Sequence, residues 1–327
     1  MNGRRVKRWL SALVIVGLSV GLAACGSSAQ HDDPRPEEER NYEPQELNST
    51  VFLDAEQFEE YADDGATILD TRSQEDYEEG HFPGAVQVDG GKPWKDDSGY
   101  LIAREDDDGQ LVGDVVEAQQ LVRDLGIDND RPVIIYGDAR NSETGRLFWT
   151  LEYYGHGDVY LYRDSYEHLQ DNLDFEAETG ANEPDEGDFI LAFRDSVFAT
   201  DADVEAATDE GDAVILDTRR EAEWDGTEDR GDPRQGRIPE SVWYYWENIF
   251  NEDDRLHDRG ELKEEFTDEG IYDEDALIIP FCQTGTRSSY IYAVLRWLGK
   301  DDAKNYDGSW VEWSRDEDLP VEEPQDE

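Results

Sequence analysis

The chain has 327 residues, a length that corresponds to two domains of ordinary size. It holds 83 Asp and Glu against 29 Lys and Arg, and the resulting formal charge of −54 argues against nucleic acid or anionic lipid as partners, because both need a cationic surface. Hydrophobic residues make up 37% of the chain, which excludes global disorder, and the carboxylate excess predicts a halophilic protein whose self-repulsion is screened by salt.

The amino-terminal residues 1–24 predict a signal peptide. Four basic residues are followed by an apolar run over 9–24, which is short for a bilayer-spanning helix. The run ends in LAACG at 22–26, which resembles the lipobox of lipoprotein precursors and implies lipidation at Cys25. The expectation is therefore an exported protein, lipid-anchored to the periplasmic or extracellular face of the cell envelope. An ordinary signal peptide without lipidation is the alternative.

Two further segments are predicted to be linkers from their composition. Residues 25–48 are rich in Ser, Pro, Glu, Asp and Gln without apolar periodicity, which predicts a flexible acidic tether. Residues 176–188 are acidic and contain Gly and Pro, which predicts a linker between two domains.

The body of the chain consists of two copies of one unit. The segment ILDTR at 68–72 recurs at 215–219, and later segments of the first copy recur 144 residues further on. This repeat predicts two domains, at 49–175 and 189–323. In each copy short apolar runs alternate with amphipathic segments, which predicts an α/β unit with a mainly parallel sheet.

The most informative element of the second copy is a predicted strand, turn and helix. The runs 213–216 and 276–281 are nearly all apolar, as is typical of strands buried on both faces. Within 287–298, apolar residues recur at i, i+3, i+4 and i+7, which predicts a helix that ends before Gly299. Residues 282–286 should then form the turn at the carboxyl end of a strand, where open α/β sheets bind ligands.

Cys282 in this turn is the candidate nucleophile. At a helix amino terminus a thiol faces unpaired backbone N–H groups and the positive end of the helix dipole, which stabilise the thiolate. Gly285 allows the backbone of 283–287 to curl into an anion-binding nest, and Arg287 adds a cationic fork. A lone cysteine is more often an inert buried residue, but this spacing of Gly285 and Arg287 favours a functional one.

These motifs resemble the tandem-domain rhodanese family of sulfurtransferases, with matching segments from residue 49 to about 323. The matching segments include DTR at 217–219, CQTGTR at 282–287 and YDGSWVEW at 306–313. The resemblance implies two rhodanese-like domains, each a mainly parallel sheet flanked by helices on both faces, with Cys282 as the catalytic residue. The residues that it implies for binding the sulfur donor are Arg219, Arg287, Gln283, Thr284, Gly285 and Thr286.

The first copy is predicted to be non-catalytic. At the offset of 144 residues, Cys282 is matched by Asp138 and Arg287 by Glu143. A carboxylate cannot carry a sulfane sulfur, and Glu143 would repel an anionic donor. The first domain is therefore expected to be a structural partner of the second.

The function that these observations predict is transfer of sulfane sulfur from thiosulfate to cyanide or a thiol, by a ping-pong mechanism through a Cys282 persulfide. The alternatives are 3-mercaptopyruvate as donor, which Asp225 disfavours by repelling the substrate carboxylate, and a membrane-tethered persulfide carrier or sulfur-anion binding protein. A cysteine phosphatase is disfavoured because its loop has five residues between Cys and Arg, whereas this loop has four.

Apart from the sulfur donor and acceptor, the sequence predicts no bound metal or cofactor and no partner subunit. The five histidines show no ligand spacing, so neither a metal nor another cofactor is predicted. The aromatic run 243–246 is predicted either to wall the pocket or to pack in the core. The expected state is a monomer that meets the membrane only through the anchor at Cys25.

Overall fold

A computed structural model describes residues 33–88, 103–105, 111–211, 213–228 and 230–322. The predicted signal peptide, Cys25 and the start of the predicted tether lie outside the described residues. Within the described ranges, none of the helices is both long and apolar enough to cross a membrane.

The first domain is built on a five-stranded parallel sheet with the strand order β1-β7-β6-β2-β3, beside a short antiparallel pair, β4 and β5. The strands are β1 Phe52–Leu53, β2 Thr67–Asp70, β3 Val86–Gln87, β4 Ala103–Glu105, β5 Leu111–Gly113, β6 Val133–Tyr136 and β7 Val159–Tyr162. The helices up to the end of this domain are α1 Glu37–Arg40, α2 Ala55–Asp63, α3 Gln74–Glu79, α4 Val115–Asp124, α5 Ser142–Tyr153 and α6 Tyr166–Asn172.

The second domain repeats this plan with parallel ladders in the orders β10-β9-β11 and β12-β8. Its strands are β8 Phe198–Ala199, β9 Ala213–Asp217, β10 Val242–Trp243, β11 Leu277–Phe281 and β12 Asn305–Tyr306. Its helices are α7 Asp201–Glu210, α8 Glu221–Trp224, α9 Arg259–Asp268, α10 Thr286–Leu298 and α11 Ser309–Trp313, with 3₁₀ turns at Asp195–Val197 and Trp246–Ile249. The predicted α/β class with mainly parallel sheets is confirmed, and α10 ends as predicted at Gly299, in the left-handed conformation.

The two domains meet along α5 and α10, whose residues are almost all buried. Each helix covers part of the other, which contributes to their burial. Gly145 makes the close approach possible, because an added Cβ there would lie 2.5 Å from Cα of Tyr290. The helix that begins at the candidate nucleophile's loop is therefore packed directly against the first domain.

The predicted tether is wrong over residues 33–48, because this segment packs on the body of the protein. Arg35 is 8% exposed, and its Nη1 donates to the backbone carbonyl of Leu191 at 2.6 Å. The backbone amides of Gln45 and Asn48 donate to carbonyls of 155 and 157, each at 2.9 Å. Composition measures average polarity, and it cannot report that one arginine and a few backbone amides find partners on a distant surface.

Candidate active site

Cys282 stands where β11 ends and before α10 begins, as predicted. The preceding carbonyl of Phe281 accepts hydrogen bonds from both the amide and the hydroxyl of Thr218, at 3.0 and 2.8 Å, so the strand end is fixed to β9. Gly285 caps α10 with φ at 72°, a conformation that favours glycine. The turn 282–286 therefore delivers the thiol to the amino end of a buried helix.

The amino end of α10, which faces the thiol, has a glycine at its N-cap position and so has no capping side chain there. No side chain caps α10 within the described residues, whereas at the equivalent place in the first domain Asn141 accepts a hydrogen bond from the amide of Glu143 and closes the end of α5. First-turn amides of a helix need an acceptor from outside the helix. In the second domain the sulfur of Cys282 is that acceptor for the first-turn amide of Ser288, and it also interacts with the amide of Thr284 in the preceding turn.

The thiol is buried at 1% exposure, yet its surroundings are polar. Burial raises the pKa of Cys282, but the Arg287 guanidinium, the amides of Ser288 and Thr284 and the Ser288 hydroxyl lower it by more, so the pKa lies below that of an ordinary thiol. A thiolate is the nucleophilic form of cysteine, so this environment prepares the side chain for attack. Sequence reasoning missed Ser288, although its place in the first turn of α10 was a signal for an unpaired amide.

Residues at the start of α11 form hydrogen bonds with the backbone of the Cys282 loop. The amide of Cys282 donates to Oγ of Ser309 at 3.1 Å, and the amides of Trp310 and Val311 donate to the carbonyls of Cys282 and Gln283, both at 3.1 Å. These bonds fix the loop backbone to the start of α11. The segment YDGSWVEW thus has a physical role in shaping the site.

Arg287 lies beside the thiol, but its guanidinium is paired with a carboxylate and is not free to bind an anion. Its Nη1 and Nη2 donate to the two carboxylate oxygens of Glu223 at 2.6 and 2.8 Å, and the Glu223 side chain is 1% exposed. Burial by itself raises the pKa of Glu223, but Arg287 and Arg220 hold it down at about 2. The fork predicted for an oxyanion is therefore occupied by a carboxylate, and Arg287 acts on the thiol through its charge.

Arg219, for which the resemblance implied donor binding, makes contacts that hold the end of β9. It is 1% exposed, its Nη2 lies 2.6 Å from Oδ2 of Asp217, and it also donates to the carbonyl of Gly236 at 2.9 Å. The guanidinium lies over the Trp310 ring at 4.6 Å. The first domain repeats the arrangement, with Arg72 bonded to Asp70, so this arginine belongs to the architecture of both copies.

A cavity of about 470 Å³ opens beside the loop and is formed by both domains. Its lining residues are Ser142, Glu143, Arg220, Arg230, Tyr245, Trp246, Glu247, Gln283, Thr284, Thr286 and Arg287. Four of the predicted donor-binding residues are thus brought together there. Among the described residues, Cys282, Gly285, Arg219 and Asp225 are not part of this lining, and Gln283 is bonded to Asp232 at 2.6 Å.

The aromatic run divides between the two predicted roles. Tyr245 and Trp246 line the cavity, whereas Tyr244 packs edge-on against Phe266 in the core. A larger cavity of about 750 Å³ lies elsewhere, around Arg163 and Arg255, and its lining includes no residue of the turn 282–286. The chemistry of the loop, and not the size of a cavity, therefore identifies the site. In the described part of the chain no group of three or more His, Cys, Asp or Glu is placed to hold a metal ion.

Replacing Arg287 with methionine is expected to slow alkylation of Cys282 by iodoacetamide about tenfold at pH 7. The change removes a cation beside the thiolate and leaves Glu223 without its closest positive partner, and both effects raise the pKa of the thiol. The reactive thiolate then forms only at higher pH, and a tenfold loss corresponds to about 1.4 kcal/mol, a reasonable size for one charge interaction. The measurement is the alkylation rate against pH in a Cys25→Ser background.

Arg220→Met serves as the control for that variant, because Arg220 lines the same cavity with a side chain that is 48% exposed. Its loss should change the alkylation rate little, since charges near bulk water interact weakly. An Arg287→Met profile that coincides with that of the unsubstituted protein would contradict the role given to this charge.

Known protein families and relatives match this chain in the same two domains that the structure shows. The family described as Rhodanese-like domain matches residues 54–172 and 200–316, so the chain belongs to the rhodanese family. Thiosulfate sulfurtransferase of Corynebacterium glutamicum is 28% identical over 307 residues, which cover 89% of this chain and 94% of that protein. The 3-mercaptopyruvate sulfurtransferase of Escherichia coli is 30% identical over 293 residues, which cover 84% of this chain and 99% of that protein.

The fold is also that of a solved relative. The crystal structure of SseA from Escherichia coli, described as a 3-mercaptopyruvate sulfotransferase with the rhodanese fold, is similar with a TM-score of 0.67 and 28% identity. The similarity covers 80% of this chain and 99% of that one. Together with the family match, it confirms the predicted tandem rhodanese-like architecture.

Proposed function

We propose that this protein is a sulfurtransferase that takes sulfane sulfur from thiosulfate onto Cys282 and passes it to cyanide or a thiol. The observation that carries the proposal is a buried thiol at the amino end of α10, Cys282, whose pKa is lowered by Arg287 and by the backbone amides of Ser288 and Thr284. The relatives that cover most of the chain support the same class, since one is named a thiosulfate sulfurtransferase and another a 3-mercaptopyruvate sulfurtransferase.

The proposed reaction has two half-reactions that share one covalent intermediate. The Cys282 thiolate attacks the outer sulfur of thiosulfate, a new S–S bond forms, and the old S–S bond breaks with its electron pair leaving on sulfite. A nucleophilic acceptor then attacks the terminal sulfur of the persulfide, and the electron pair of that bond returns to Cys282. The amides of Thr284 and Ser288 are positioned to stabilise negative charge on sulfur in both half-reactions.

The choice of donor rests on the cations of the cavity. Arg220 and Arg230 line it with side chains that are 48% and 39% exposed, and we propose that they attract a small dianion such as thiosulfate. Asp225 is not part of the described lining, so repulsion from it is no longer an argument against 3-mercaptopyruvate. That compound is the second candidate donor, favoured by the Escherichia coli relative that bears its name.

The test is the intact mass of the Cys25→Ser protein after incubation with thiosulfate or with 3-mercaptopyruvate. We expect thiosulfate to add the mass of one sulfur atom and to release an equal amount of sulfite. Protein alkylated beforehand at Cys282 is the control and should gain nothing. Gain with 3-mercaptopyruvate alone would change the donor and keep the mechanism, and no gain with either donor would contradict the proposal.

Turnover separates an enzyme from a persulfide carrier. An enzyme should convert many equivalents of thiosulfate to sulfite when cyanide is present, whereas a carrier would load one sulfur and stop.

Export, lipidation at Cys25, salt tolerance and a monomeric state are also part of this proposal, and they rest on the composition and the LAACG segment alone. The mass of the protein isolated from cell membranes tests both processing and lipidation.

A further inference from the structure

An arginine of the first domain lies beneath the loop that carries Cys282. Arg146 belongs to α5, is 0% exposed, and its Nη1 is 2.5 Å from Oδ1 of Asp307, which is also fully buried. The guanidinium lies over the ring of Trp149 at 5.0 Å. The pair therefore joins the non-reacting domain to the segment YDGSWVEW of the reacting one.

This ion pair is packed against Gly285. A Cβ added at Gly285 would lie 2.7 Å from the carbonyl oxygen of Asp307, and 2.9 Å from both Oδ1 of Asp307 and Nη1 of Arg146. The carbonyl of Gly285 in turn accepts from Oγ of Ser289 at 2.5 Å and from Nδ2 of Asn305 at 3.3 Å. The place that a side chain would take at the helix cap is thus filled by the arginine and its carboxylate partner.

Gly285 connects the two amides that hold the sulfur. Thr284 precedes it directly and Ser288 lies in the first turn of the helix that it caps, and both amides interact with the Cys282 sulfur. A displacement of Gly285 would therefore turn one amide away from the other. Because hydrogen bonds weaken steeply with angle, a small displacement would reduce the support that the thiolate receives.

Stability alone does not account for the presence of this buried pair. Nε and Nη2 of Arg146 have no hydrogen-bond acceptor among the described residues, and an incompletely satisfied buried cation is unfavourable. Apolar residues of similar volume often replace a buried ion pair without loss of stability. The feature that such residues could not reproduce is the charged contact at Gly285.

We infer that Arg146 is a positioning residue for sulfur transfer, by which the first domain holds the Cys282 loop in its reactive shape. The inference rests on the proposed function only in that the loop is the reacting site. It gives the first domain, which has Asp138 in place of a nucleophile, a defined part in the chemistry of the second.

The chain offers a matched control in a second buried ion pair between the two domains. Glu152 of α5 and Arg296 of α10 lie 2.8 Å apart, with side chains that are 0% and 1% exposed. Tyr292 also donates to Glu152, and Arg296 donates to the carbonyl of Asn48. These contacts join the domains without involving the turn 282–286, so breaking them tests the interface alone.

The experiment compares Arg146→Met, Arg146→Lys and Arg296→Met in the full chain carrying Cys25→Ser. It measures the alkylation rate of Cys282 against pH, the kcat and KM for thiosulfate, and the thermal unfolding temperature. We expect Arg146→Met to lower kcat about a hundredfold and to move the alkylation profile to higher pH, as misplaced catalytic groups do. Arg146→Lys should recover most of the rate because it retains the charge beside Asp307.

We expect Arg296→Met to lower the unfolding temperature and to leave the alkylation profile in place. The inference would be overturned if folded Arg146→Met had the same pH profile of Cys282 alkylation as the unsubstituted protein. It would also be overturned if Arg296→Met shifted that profile as far as Arg146→Met does. If Arg146→Met does not fold, Asp307→Asn takes its place, because it removes the charge from the other side of the same contact at Gly285, and we expect it to shift the alkylation profile where Arg296→Met does not. Alkylation requires no sulfur transfer, so this result is separate from the test of the proposed function.

Discussion

Serine in place of Cys282 is expected to reduce sulfite release from thiosulfate by at least about a thousandfold, the size of effect seen when a covalent nucleophile is removed. A serine hydroxyl stays protonated even where the pKa of a thiol is lowered, and oxygen does not accept a sulfane sulfur as a stable intermediate. The nest amides remain, so donor binding should be nearly unchanged. The measurement is the initial rate of sulfite release with cyanide as acceptor.

Cys25→Ser is the control for this result, because residue 25 precedes both domains and its loss should leave the rate unchanged. The unfolding temperature of Cys282→Ser should stay close to that of the unsubstituted protein, since the two side chains are similar in size. Sulfite release by Cys282→Ser at more than a few per cent of the normal rate would show that another group carries the sulfur.

Replacing Arg219 with methionine is expected to lower the free energy of unfolding by about 3–5 kcal/mol. The carboxylate of Asp217, which is fully buried, would lose the guanidinium that lies 2.6 Å away and would remain as an unpaired charge. The carbonyl of Gly236 would also lose its donor. The measurement is equilibrium unfolding in urea, followed by tryptophan fluorescence.

The matched control is the neighbouring Arg220→Met, which should change stability by less than about 0.5 kcal/mol because the side chain is 48% exposed. The effect of the two substitutions on the KM for thiosulfate should be the reverse of their effect on stability. Arg220→Met should raise the KM for thiosulfate, whereas the folded fraction of Arg219→Met should keep its KM. A stable Arg219→Met variant with a raised KM would restore the donor-binding role that the sequence predicted.

Local pattern was enough to find the candidate nucleophile. The apolar run before Cys282, the glycine at 285 and the helical period after Arg287 are all features of neighbouring residues, and each follows from the conformations that those residues adopt. The repeat likewise identified two domains, because register between copies is a property of the sequence itself. The structure has β11 end at Phe281 and α10 begin at Thr286, in agreement with both patterns.

The side chains that surround the nucleophile depend on pairings that no local pattern contains. Arg287 and Glu223 are 64 positions apart, and their two hydrogen bonds form only because α8 is placed beside the start of α10. The surroundings of Arg219 were hidden for the same reason, since its Asp217 partner is visible in the sequence but its burial beside the Trp310 ring is not.

For this protein, then, the sequence alone determined the fold class, the repeat and the position of the candidate nucleophile, since these depend on residue type and spacing along the chain. Only the tertiary structure decided which charges meet, namely Arg146 with Asp307, Arg287 with Glu223, and Arg219 with Asp217. A charge that is buried needs a partner within a few ångströms, and the partner is chosen by the packing of distant segments.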